Sequence, residues 1–133
     1  MKTEELRKIL IEEQYLNKWS EKYNFEAIDY TWNEDGSVDV NGSLTISDNM
    51  SELPFKLGKL TGYFYADYIG LKTLKNCPTT VGEFFSVEGN CLDSLLFSPI
   101  EVEGVFYCRE NPVNFTEEDV RKVCKVDNIF GLE

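Results

Sequence analysis

The sequence contains no histidine. That removes the side chain most often used as a general acid or base near neutral pH and the commonest nitrogen ligand of metals. It has only four cysteines, Cys77, Cys91, Cys108 and Cys124, all far apart along the chain. No C-x-x-C pair occurs, so a zinc site would need all four thiolates at unusual spacing, and neither a metal nor a cofactor is expected. No apolar run approaches the roughly 20 residues that cross a bilayer. The first residues, Met1-Lys2-Thr3-Glu4-Glu5, lack the basic and apolar regions of a secretory signal, so a cytoplasmic protein with reduced thiols is expected. Also missing are G-x-S-x-G, a P-loop and a dinucleotide fingerprint.

Positive charge is scarce: 13 Lys and Arg stand against 24 Asp and Glu, a net charge of −11 over 133 residues. Such a surface repels phosphate, which argues against direct binding to nucleic acid or to an anionic membrane. It suits a basic partner, including a protein surface that normally holds DNA, and it also serves solubility. The length and the 42% hydrophobic content predict one globular domain with a substantial core.

Residues 3 to 23 read as an amphipathic helix. Leu6, Ile9, Leu10, Leu16, Trp19 and Tyr23 recur at steps of three and four, Thr3 is a candidate N-cap, and Asn24 a candidate end. From Ala27 the period changes to two. Ile28, Tyr30 and Trp32 precede an Asn33–Gly36 turn, then Val38 and Val40 precede Asn41-Gly42, then Leu44 and Ile46 follow. This pattern predicts a β-meander over 27–47 with two glycine turns, leading into the rest of the chain.

The remainder, 43–115, repeats. Phe64, Phe85 and Phe106 recur at one constant interval, and Ala66, Val87 and Cys108 recur at the same one. Leu71, Leu92 and Val113 keep that step, as do Leu74/Leu95, Pro78/Pro99 and Val81/Val102. A period in the twenties marks a solenoid whose turns bury one face on their neighbours. The unit Phe85-x-Val87-x-x-Asn90-x-Leu92-x-x-Leu95 has the form L-x-L-x-x-N-x-L-x-x-L, and Phe106-x-Cys108-x-x-Asn111-x-Val113 repeats its first half. The unit beginning at Phe64 has Ile69 in the asparagine slot, and Leu44-x-Ile46-x-x-Asn49-Met50-x-x-Leu53 fits after one deleted residue. Alternation along the strands turns 64/66, 85/87 and 106/108 inward, and the asparagines can bond backbone groups where each strand ends. Thr116 and Asp119 then form a capping-box start for a terminal helix over 116–126 that closes the array. The expected fold is α+β: a short leucine-rich-repeat-like β-solenoid of about 21-residue turns, with an N-terminal amphipathic helix and a C-terminal capping helix.

The F-x-C/V-x-x-N-x-L-x-x-L unit, the Pro78-Thr79-Thr80-Val81-Gly82 link and the closing 115–124 segment resemble the leucine-rich-repeat-like proteins of tailed bacteriophages. The resemblance covers about two thirds of the chain and leaves residues 1–34 outside. It implies a phage protein acting in the host cytoplasm, where it engages a host protein and interferes with it, for instance with a defence system.

The residues adjacent to the inward slots face outward. Across three turns they are Tyr63/Phe84/Val105, Tyr65/Ser86/Tyr107 and Asp67/Glu88/Arg109. Aromatic side chains on an outer strand face mark either an interface or a surface covered by the N-terminal helix. Tyr63, Tyr65, Asp67, Phe84, Ser86, Glu88, Tyr107 and Arg109 are therefore the candidate partner-binding residues, and no catalytic or metal-binding residue is nominated. Two other readings stay open. One is an acidic inhibitor in which carboxylates imitate DNA phosphates. The other is a small enzyme using Cys108 or the Asp67/Glu88 pair, although Cys108 falls on an inward slot where a thiol is inert.

Overall fold

The computed structural model describes residues 25–54 and 56–130. The helix expected over residues 3–23 lies outside them.

The chain begins with a hairpin. Strand β1 (Phe25–Trp32) runs antiparallel to β2 (Val38–Thr45), with Phe25 opposite Leu44, Trp32 opposite Val38 and an irregularity between Ala27 and Asp29. The Asn33–Gly36 turn forms as expected. The Gly36 N–H donates to the Asn33 carbonyl, Gly36 adopts φ 86°, and the Asp35 carboxylate accepts from the Ser37 amide and hydroxyl.

The second expected glycine turn does not form. β2 continues through Asn41-Gly42 because its two halves pair with different parallel strands. Val38 and Val40 pair with β3 (Leu57–Leu60), whereas Leu44 and Thr45 pair with β4 (Phe64–Tyr65). Gly42 therefore marks a corner within one solenoid turn, not a chain reversal. The pattern then recurs: β5 (Thr80–Val81) and β6 (Phe85–Ser86) form the next turn, β7 (Glu101–Val102) and β8 (Val105–Tyr107) the one after. One row of parallel pairs runs β2-β3-β5-β7 and the other β2-β4-β6-β8. At the corner the rows join through a backbone ladder: Gly62 N–H donates to Gly42 O, Glu83 N–H to Gly62 O, and Gly104 N–H to Glu83 O, at 2.8, 3.1 and 2.9 Å. The molecule is thus a parallel β-solenoid of about four turns, the later ones each as long as the sequence repeat and the first slightly shorter. Among the described residues it is mostly sheet with a single helix.

Periodicity becomes packing directly. Leu44, Phe64, Phe85 and Phe106 form one buried column, with phenyl centroids 5.4 and 5.0 Å apart. Ile46, Ala66, Val87 and Cys108 form a second, Val40, Leu60, Val81 and Val102 a third, and Leu53, Leu74 and Leu95 a fourth. Two of the three slot asparagines, Asn90 and Asn111, do what the motif predicts, whereas Asn49 is exposed. Asn90 Oδ1 accepts from the Ile69 and Leu71 amides at 3.1 and 3.2 Å, and its Nδ2 donates to the Ala66 and Glu88 carbonyls. Asn111 repeats the arrangement one turn later, accepting from the Leu92 amide and donating to the Val87, Cys108 and Arg109 carbonyls.

Two expectations about the last turn are corrected. Val113 keeps the repeat interval yet is exposed, because the chain leaves the ladder after Asn111 and Phe115 enters the core instead. The terminal helix, α1, is Glu117–Val123, shorter than 116–126; its capping box between Thr116 and Asp119 forms in both directions. Beyond it Lys125 bridges to Glu101, and β9 (Asn128–Ile129) adds to β8 in parallel. The tail returns to the sheet because Val126 is apolar enough to bury and the unpaired edge of β8 offers backbone partners.

Candidate binding face

The row β4-β6-β8-β9 presents the nominated residues side by side. Parallel pairing places Phe64 beside Phe85 and Phe85 beside Phe106, so the outward neighbours fall into register as well. The Tyr63 and Phe84 rings stack with centroids 4.7 Å apart and planes within 4° of parallel. Phe84 also receives Tyr65 and Tyr107 edge-on at 6.3 and 6.1 Å. Below this aromatic cluster lies a polar row. Asp67 Oδ1 accepts from the Ser86 hydroxyl at 2.6 Å and the Glu88 amide at 2.9 Å. Glu88 in turn accepts from the Arg109 amide at 3.0 Å and, through both oxygens, from the Arg109 guanidinium at 2.8 and 3.3 Å. Each acid thus caps the backbone of the next turn, a role the spacing alone did not suggest.

All eight nominated residues lie on this one face, but they differ in access. Tyr65 and Arg109 are exposed, Tyr63, Asp67, Phe84, Glu88 and Tyr107 are half-buried, and Ser86 is buried. Ser86 is the correction. Its column faces outward as expected, yet its short side chain sits at the floor of the row, held to Asp67.

Four further residues belong to the face. Phe130 packs on Tyr107 at 5.3 Å and lies under the Arg109 guanidinium, 4.6 Å from the ring centroid. Its offset from Tyr107 is longer than the repeat, because α1 intervenes, so periodicity hides it. Tyr68 reaches over Gly89 to donate its hydroxyl to Glu110. The three positions 68, 89 and 110 form a column in the left-handed region, with φ of 56°, 66° and 59°. Gly89 leaves the space that the Tyr68 ring fills; a Cβ there would lie 2.2 Å from two of its ring carbons. Tyr68 and Glu110 stand two repeat lengths apart, and that was the available signal.

Electrostatics follow from this packing. Burial raises the Asp67 carboxyl above its ordinary value, against the donors that favour the carboxylate, and negative Asp67 in turn holds the Tyr65 phenol up. A folded-state pKa raised above the unfolded value of about 3.9 means that folding favours the protonated acid. That contribution is complete below the unfolded pKa and is lost as pH rises through the folded one. Asp67→Asn keeps an oxygen acceptor for Ser86 and Glu88 without the charge. The variant is expected to gain stability relative to the natural chain as pH rises from about 4 to about 7. Thermal melts at both pH values check this; a constant difference would contradict it.

Cys108 is buried and its thiol is pushed up to about 12, which keeps it protonated, the reverse of an activated nucleophile. Among the described residues no cluster of three or more His, Cys, Asp or Glu is placed to hold a metal, and no helix is long and apolar enough to cross a membrane. The class defined by these observations is a short parallel β-solenoid with an aromatic and acidic outer strand face. No family model, curated protein or solved structure matches the chain.

Proposed function

We propose that this protein is a non-enzymatic binding module that grips a protein partner with its β4-β6-β8-β9 face. The observation that carries the reading is the aromatic cluster Tyr63–Phe84–Tyr107–Phe130, flanked by exposed Tyr65 and the ion-paired Glu88–Arg109. Rigid aromatic side chains with two side-chain torsions lose little entropy on binding, and a charged rim around an aromatic centre is the usual anatomy of an interface. The acid excess favours a partner with a basic surface. In line with the resemblance to the leucine-rich-repeat-like proteins of tailed phages, the partner is a host protein whose action the complex blocks.

The test is capture from a bacterial host lysate by the natural chain and by a Tyr65→Ala, Tyr107→Ala double variant. The variant is expected to retain the fold by circular dichroism and to bind its partner at least tenfold more weakly, since truncating two aromatics of an interface costs about 1–2 kcal/mol each. Equal capture by both would refute the strand-face reading.

A further inference from the structure

Two successive turns of the solenoid have the same backbone and opposite surface chemistry. In the first, Cys77 N–H closes onto the Leu74 carbonyl and Asn76 adopts φ 74°; in the second, Ser98 N–H closes onto the Leu95 carbonyl and Phe97 adopts φ 70°. A positive φ at the third residue of such a turn favours Gly or Asn. Asn76 meets that requirement. Phe97 does not, and the residue is 55% exposed, so packing does not compensate for the backbone conformation. The flanking positions change in the same direction. Lys75 and Thr79 of the first turn become Leu96 and Ile100 of the second, 64% and 65% exposed. The preceding turn shows that the fold accepts polar residues at all three positions, so the solenoid itself does not require this apolar set.

Leu96 also lines a groove of about 360 Å³, together with Val113, Phe115 and, from α1, Val123. The carboxylates of Asp93 and Asp119 lie along it, while Lys122, the one base in its lining, is paired with Glu118 at 3.6 Å. We infer that the 93–100 turn and this groove form a second docking surface, which takes a basic amphipathic segment of a partner protein. Its large apolar side chains seat against Leu96, Phe97 and Ile100, and its lysines or arginines lie over Asp93 and Asp119. Charge decides against a second copy as the occupant, because each copy carries a net −11. The surface is distinct from the aromatic strand face and does not depend on it.

The probe is a helical peptide of about 18 residues, five turns, built from Leu on one face and Lys on the other. Its affinity is measured by isothermal titration for the natural chain and for a Leu96→Gln, Phe97→Asn, Ile100→Thr variant of unchanged net charge. Phe97→Asn suits the positive φ, so the variant is expected to melt no lower than the natural chain. Binding is expected to weaken roughly tenfold or more in this variant and to be unchanged in the Tyr65→Ala, Tyr107→Ala protein. A Leu/Glu peptide of the same pattern is expected not to bind. Equal affinity of the two chains for the Leu/Lys peptide, absence of binding, or equal binding of the Leu/Glu peptide would each overturn the inference. So would a dimer in sedimentation that the triple variant dissociates, which would make the surface a contact between copies. The strand-face reading fails separately, on the tyrosine variant alone.

Discussion

Asn90→Ala is expected to remove about 3–5 kcal/mol of folding stability. The side chain is buried and makes four bonds to backbone groups of its own and the preceding turn. The Glu88 carbonyl keeps a second donor, the Tyr68 amide. The Ile69 and Leu71 amides lose the oxygen that satisfies both, and the Ala66 carbonyl loses its donor. A buried polar group left without a partner costs about 1–3 kcal/mol, and the alanine cavity adds to that. Against a typical total of about 5–15 kcal/mol, the loss threatens the fold at physiological temperature. Urea denaturation measures it. The companion variant Asn49→Ala, in the matching slot of the first turn, is expected to change stability by less than about 0.5 kcal/mol because Asn49 is exposed. Equal effects at the two positions would mean that the asparagine slot does not act through buried backbone bonds.

Gly82→Ala is expected to be nearly as damaging, for a reason of space. A Cβ at Gly82 would lie 2.2 Å from the Thr61 carbonyl oxygen and 2.9 Å from its carbon, both backbone atoms of the preceding turn. The adjacent backbones are tied together there: Gly82 N–H donates to Leu60 O at 2.9 Å, and Glu83 N–H to Gly62 O at 3.1 Å. Relief therefore requires one solenoid turn to move away from the next. Overpacking of this kind costs about 3 kcal/mol, which for a chain of this size lowers the melting temperature by roughly 10 °C. Gly70→Ala is the contrast, since nothing lies within 4 Å of a Cβ there and only its φ of 83° opposes the change. A Gly82→Ala protein that melts with the natural chain would show that the corner is looser than its hydrogen bonds imply.

The inward columns were legible because stacking identical turns forces one chemical class at each fixed interval. Phe64, Phe85 and Phe106 must all be apolar if they occupy one column. The capping box at Thr116 was legible for a local reason: both of its bonds join Thr116 to Asp119, within a single helical turn. Legibility failed where the turn length changes. Phe130 falls out of step with Tyr107, and Val113 stays in step with Leu92 but leaves the core, both because α1 interrupts the array. The Asn41-Gly42 pair reads as a hairpin in sequence because its composition suits a tight reversal. The parallel partners that make it a corner within β2, Leu57, Leu60, Phe64 and Tyr65, come from a full turn further along the chain.

The outer face shows the same division. Alternation along short strands was enough to nominate Tyr63, Tyr65, Phe84, Tyr107 and the acids as outward-facing. It could not say that Ser86 lies buried beneath Asp67, that Asp67 and Glu88 cap the backbone of the following turn, or that Phe97 sits in a conformation better suited to asparagine. By itself the sequence determined the period, the buried columns and the asparagine slots, because these follow from one residue class recurring at one interval. Only the tertiary structure decided where the turns bend, how the tail rejoins the sheet and which outward side chains are accessible. Those depend on side-chain length and on contacts between turns, which an interval does not encode.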